Sequence, residues 1–248
     1  MATAMEPSLL SDKQIKSSDR LIYALDHPSH TEAWDMVETL GPAVSFYKLG
    51  LQMLMTGDYN TFVQRLVDMG KQVFIDVKFF DVPETVAAAV AGVKDRGATF
   101  VTVHGNEAML KAAVAAKGDS VKILGVTVLT SLDQADMNDM GFKADIPTIV
   151  LSRAKRALAV GCDGVISSGL EAPLLRSTLG SRFLIVSPGI RPGDNTLIEH
   201  DDQKRVVTVQ TAFRNGADYI VVGRPIRKAA DPRAAAGGMQ ATIAEIFG

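Results

Sequence analysis

A single cysteine, Cys162, excludes any intramolecular disulfide in this 248-residue chain and points to a reducing compartment. Long apolar runs are missing as well. Nowhere does the sequence approach the ~18 consecutive apolar residues of a membrane-spanning helix, and residues 1 to 20 carry scattered charges without the apolar stretch of an export signal. The expectation is a cytoplasmic protein that makes no use of a membrane. Neither sign of charge dominates: 26 basic residues face 28 acidic ones, whereas a nucleic-acid binder is usually more basic. No P-loop and no G-x-G-x-x-G occurs. His27, His30, His104 and His200 lack spacing of the H-E-x-x-H kind, so no metal site is expected. What the chain does have is a good supply of core, with 47% of its residues hydrophobic and 22% charged. Cys162 and Trp34 read as part of that core.

Short apolar, β-branched runs recur along the chain, each followed by a stretch with helical spacing. They are LIYALD (21–26), VSFYKLG (44–50), KQVFIDVK (71–78), FVTVHG (100–105), KILGVTVLT (122–130), DGVISS (163–168), FLIVSPGI (183–190) and YIVVGRPI (219–226). Near-continuous apolar character is expected of strands covered on both faces. Between them lie amphipathic segments, such as 60–69 with Phe62/Leu66 and Val63/Val67, and 148–159 with Val150, Ala154, Ala157 and Leu158 on one face. Gly70, Gly97, Gly161 and Gly216 fall where helices should end. Strict alternation implies a parallel sheet, either open and doubly wound or closed. The count of eight favours a closed (β/α)8 TIM barrel, one α/β domain over residues 20–248, preceded by a flexible or accessory arm at 1–19.

Polar residues interrupt the apolar runs at their C-terminal ends: Asp26, Lys48, Asp76 with Lys78, His104, Thr130, Arg191 and Arg224. In a closed barrel those ends share one face, the face that carries active sites. The sharpest signal is FIDVKFFDVPET (74–85), with D-x-K-x-x-D at Asp76, Lys78 and Asp81. A strand period of two puts Asp76 and Lys78 on one face, pointing into the barrel mouth. Charge in a barrel interior is costly unless it pairs or does chemistry. Pro83 at the first helical position would make Val82 the N-cap, leaving Asp81 one residue too early to cap. A second signal is VSPGIRPGD (186–194) with IVVGRPI (220–226). Backbone amides around Gly189 and Gly223, with Arg191 and Arg224, would cradle a dianion after strands 7 and 8 and imply a phosphorylated substrate.

These residues resemble the orotidine 5'-monophosphate decarboxylase family from about Leu21 onward. The motifs arrive in order: ALD (24–26), K-x-G (48–50), D-x-K-x-x-D-x-P-x-T (76–85), TVLTS (127–131), PGIRP (188–192), DQ-x-R (202–205) and VGRPI (222–226). The resemblance implies a cofactor-free and metal-free carboxy-lyase acting on orotidine 5'-monophosphate, with Lys48, Asp76, Lys78 and Asp81 as the charged catalytic array. It further implies a homodimer in which Asp81 enters the neighbouring site. Asp26 and Lys48 would contact the ribose, Thr130 and Ser131 the pyrimidine edge, and Arg191, Gln203, Gly223 and Arg224 the phosphate end. Thr85 and Pro188 join the substrate-binding set. The chain departs from the family pattern at Phe80 and Glu84, where histidine and asparagine are frequent, in the long segment 194–202, and at Thr208-Val209 in place of Thr-Pro. Related magnesium-dependent phosphosugar enzymes share the D-x-K-x-x-D strand, but PGIRP and DQ-x-R set this chain apart from them. A catalytically silent nucleotide sensor is the other alternative, and the intact charged array argues against it.

Overall fold

A computed structural model describes residues 8–193 and 203–248. Eight parallel strands close into a barrel: β1 (Leu21–Ala24), β2 (Phe46–Gly50), β3 (Gln72–Phe79), β4 (Phe100–Val103), β5 (Lys122–Val126), β6 (Gly164–Ile166), β7 (Leu184–Ser187) and β8 (Tyr219–Val222). Consecutive strands pair, and β1 completes the ring by pairing with β8. Closure, favoured over an open sheet by the strand count, is what the chain adopts. Except in β2 and β3, the strands stop earlier than the apolar runs. β5 ends at Val126, for example, so Thr130 stands on a loop above the barrel.

Helices fill the connections, and their starts are written locally. Ser29, Asp58, Asn106, Asp145 and Asp231 each accept the backbone N–H three residues on, a cap worth about 1 kcal/mol apiece. The two faces foreseen from spacing belong to helices Tyr59–Asp68 and Ile146–Ala159, where Phe62, Val63 and Leu66, and Val150, Ala154 and Ala157, are buried. Val209 occupies the first position of the helix capped by Thr208, the position proline favours. Gly216 has φ 99°, and a Cβ there would lie 2.7 Å from Arg176 Cγ. Cys162 is buried, which pushes its thiol up to about 12 and makes it inert.

The barrel axis is packed in layers. Phe46, Phe74, Phe100 and Tyr219 meet with ring centroids 5.1 to 6.0 Å apart, several edge-on. Two residues further along β2, β3 and β4 stand Lys48, Asp76 and Thr102, all buried. A polar layer therefore rests on an aromatic one. The opposite end is crossed by residues 8–20. Ser11 Oγ and Lys13 Nζ donate to Asp218 Oδ1 at 2.5 and 3.0 Å, and Ile15 packs against the interior cluster. Residues 1–7 of the foreseen arm lie outside the described residues.

Candidate active site

The C-terminal ends of the strands surround a cavity of about 500 Å³. It collects Asp26, Lys48, Asp76, Lys78, Thr130 and Ser131 together with Pro188, Arg191, Gln203, Gly223 and Arg224. Asp81 and Thr85 do not line it. Both are exposed at the start of helix Pro83–Lys94, where Val82 is the N-cap and Asp81 accepts the Val82 N–H at 2.7 Å. His104 also stays out of the cavity, packing edge-on against Phe80 and lying 3.5 Å from Arg153 Nη1. Burial first, then the charges of Arg153 and Lys78, hold its imidazole below the usual histidine range.

Four of the charges form an alternating chain. Lys48 Nζ lies 3.5 Å from Asp26 Oδ1 and 3.3 Å from Asp76 Oδ2, while Lys78 Nζ donates to Asp76 Oδ1 at 3.0 Å. Burial alone would push the Lys48 ammonium down, but the Asp76 and Asp26 carboxylates outweigh it and hold the group above its ordinary range. Burial alone would likewise raise Asp76, yet Lys48 and Lys78 keep its carboxyl below the usual value. Lys48 and Asp76 are thus both charged at neutral pH. The Lys78 side chain is one-third exposed (33%), so its remaining N–H bonds face the cavity.

Asp76 and Lys78 come together by a route that period-two spacing does not describe. The β3–β4 register shifts between Ile75 and Phe79, and Lys78 has φ 52°. A left-handed lysine costs about 1–2 kcal/mol. Its amide donates to Thr102 Oγ1 at 3.1 Å, whose hydroxyl donates to Asp76 Oδ1 at 2.9 Å.

A tight turn at Gly189 shapes the part of the lining that carries Pro188 and Arg191. Gly189 has φ 76°, and a Cβ there would meet the Arg205 carbonyl at 2.5 Å. Arg205 is buried and fixes the segment that resumes at Gln203. It donates to Glu171 Oε1 at 2.7 Å and to the carbonyls of Val128 and Leu129 at 2.9 Å. Gln203 in turn contacts the Thr130 hydroxyl. The pyrimidine-edge and phosphate-end candidates are therefore one connected unit. Arg205 is visible in sequence as the last letter of DQ-x-R, but nothing there reveals its partners. Gln52 and Arg227 also line the cavity, and Arg227 donates to the Asp26 carbonyl. Arg227 directly follows VGRPI, whereas Gln52 has no sequence signal. The loop at 194–202, with His200 and the Asp202 that opens DQ-x-R, lies outside the described residues. Among the described residues no group of three or more His, Cys, Asp or Glu is arranged to hold a metal ion.

Fold and cavity together define a class: a (β/α)8-barrel enzyme whose cavity brings an acid–amine array together with two arginines from the ends of β7 and β8. Residues 19–239 match the model of the orotidine 5'-phosphate decarboxylase / HUMPS family, and the chain belongs to that family. It is 60% identical over 241 residues to an orotidine 5'-phosphate decarboxylase of Methylococcus capsulatus, covering 97% of this chain and 98% of that one. It is 48% identical to one of Nitrobacter winogradskyi, covering 92% of each. A crystal structure of orotidine 5'-phosphate decarboxylase from Lactobacillus acidophilus superposes with a TM-score of 0.77 at 34% identity, covering 92% of this chain and 99% of that one.

Proposed function

We propose that this enzyme converts orotidine 5'-monophosphate to UMP and carbon dioxide in de novo pyrimidine biosynthesis, using neither metal nor organic cofactor. The observation that carries the reading is the Asp26–Lys48–Asp76–Lys78 chain sharing one cavity with Arg191 and Arg224. Family membership and the full-length relatives support the same activity.

Breaking the C6–carboxylate bond leaves its electron pair on C6, in the plane of the ring and without ordinary π delocalisation. The difficulty is electrostatic, and a fixed ammonium answers it. Lys78 stabilises the developing charge and then donates a proton to C6, becoming a neutral amine that solvent reprotonates. Asp76, with Asp81 entering from the neighbouring subunit, holds and aims the Lys78 ammonium, over an aromatic layer that lowers the local dielectric. Asp26 and Lys48 hold the ribose, Thr130 and Ser131 read the pyrimidine edge, and Pro188, Arg191, Gln203, Gly223 and Arg224 take the phosphate end. Remote binding at the phosphate supplies energy for orienting the ring.

The enzyme acts as a homodimer in which Asp81 and Thr85 complete the neighbouring site. Their exposure outside their own cavity supports this, as do the exposed apolar side chains of Leu51 and Met55 at the short helix after β2 and of Phe80 and Val82 after β3. Mixing inactive Lys78→Ala with inactive Asp81→Ala should restore part of the activity, because mixed dimers contain one intact site; no recovery counts against shared sites. Residues 8–19 are accessory, closing the far end of the barrel. The compartment is the cytoplasm. The activity itself is tested by following the ultraviolet absorbance of orotidine 5'-monophosphate in EDTA. Steady conversion is expected, and an absence of turnover, or turnover only with added magnesium, would overturn the assignment.

A further inference from the structure

We infer that Thr102 is a positioning residue for the catalytic ammonium, tying both ends of Lys78 to a single oxygen of Asp76. The inference rests on the role given to Lys78 above. Between Ile75 and Phe79, β3 advances four residues while β4 advances two, from Val101 to Val103. The surplus is taken up beside Thr102, and Lys78 is the one non-glycine among the described residues with positive φ.

A closed ring of hydrogen bonds holds this geometry. The Lys78 amide donates to Thr102 Oγ1 at 3.1 Å, the Thr102 hydroxyl donates to Asp76 Oδ1 at 2.9 Å, and Lys78 Nζ donates to that same Oδ1 at 3.0 Å. Thr102 is fully buried, so water does not stand in for its hydroxyl. One lone pair accepts from the backbone, and this directs the single proton toward the carboxylate. Without the hydroxyl, the buried amide loses its partner and the left-handed turn at Lys78 loses its anchor. The ammonium is then free to drift from the point where C6 is held, and a displacement of about 1 Å can cost on the order of 10²-fold in rate. The phosphate-end residues are on other strands and are untouched.

Thr102→Val keeps the side-chain shape and removes the hydroxyl, while Thr102→Ser keeps the hydroxyl. We expect Thr102→Val to lower kcat by on the order of 10²-fold with KM for orotidine 5'-monophosphate changed less than about threefold. Thr102→Ser should stay within about threefold of wild type in both. If the valine variant does not fold, Thr102→Ala takes its place with the same expectation. The inference is overturned if the hydroxyl-free variant retains kcat within about threefold. It is equally overturned if serine is as poor as valine while UMP affinity and melting temperature fall in both, since that describes packing. Lys78→Ala, run alongside, separates the two failures. A dead Lys78→Ala with a wild-type-like Thr102→Val removes only the role of Thr102, whereas an active Lys78→Ala removes the reading on which it rests.

Discussion

At the floor of the barrel, Asp218 is completely buried and both its oxygens are saturated: Oδ1 by Ser11 and Lys13, Oδ2 by Arg176 Nη2 at 2.7 Å and the Ile185 amide at 2.8 Å. At the mouth, Asp76 is also buried and also accepts from two cations and a hydroxyl, but its lysine partners border a cavity. The two networks have similar chemistry and opposite use. The floor spends its hydrogen-bonding capacity inward, binding the N-terminal segment to strand ends and a helix. The mouth leaves donors facing the cavity, where a substrate can claim them. A buried ion pair is thus a fastening when every partner is protein, and a tool when one face is left to a ligand.

Substitutions that cut one network and spare the other break the comparison most sharply. Lys78→Ala should lower kcat by about 10⁴-fold or more, since it removes both charge stabilisation and proton transfer, with unchanged urea unfolding and UMP still bound. Turnover near wild type would end the distinction. Asp218→Ala should do the reverse, costing about 3–5 kcal/mol in urea unfolding by stranding Arg176 and Lys13, with kcat intact in the folded fraction. Arg224→Ala should lower kcat/KM for the nucleotide by about 10- to 100-fold, the worth of about 1.5–3 kcal/mol for a charged hydrogen bond. It should have little effect on orotidine, which lacks the phosphate, and an equal loss on both substrates would detach Arg224 from the phosphate end. The smallest effect expected is a fall in melting temperature as pH drops below 6.5. Burial holds His27 and His104 below the usual histidine value of 6.5, so in that range the unfolded chain binds more protons and stability declines. A melting temperature flat from pH 7 to about 5 would contradict that sign.

The mouth was more legible than the floor, for physical reasons. Polar residues that interrupt apolar strands stand out, because burial makes them expensive, and so the sequence alone gathers Asp26, Lys48, Asp76 and Lys78. The turns at Gly189 and Gly223 were legible because they coincide with arginines at matching strand ends. Period-two reasoning brought Asp76 and Lys78 together but missed the register shift, because an irregularity between two strands is a property of the pair and not of either sequence. Thr102 escaped for the same reason: a threonine in a strand is ordinary until its neighbour bulges. Arg205 and Arg227 act largely through carbonyls, which have no sequence signature. Ser11 and Lys13 sit in a polar tract without periodicity, and their partner Asp218 is some two hundred residues away.

The aromatic layer formed by Phe46, Phe74, Phe100 and Tyr219 makes the cavity a cul-de-sac. Nucleotide arrival, gas escape and proton resupply must all use the same doorway. Traffic through that opening is therefore sequential, and any side chain that delayed the product's departure would delay the next turnover too.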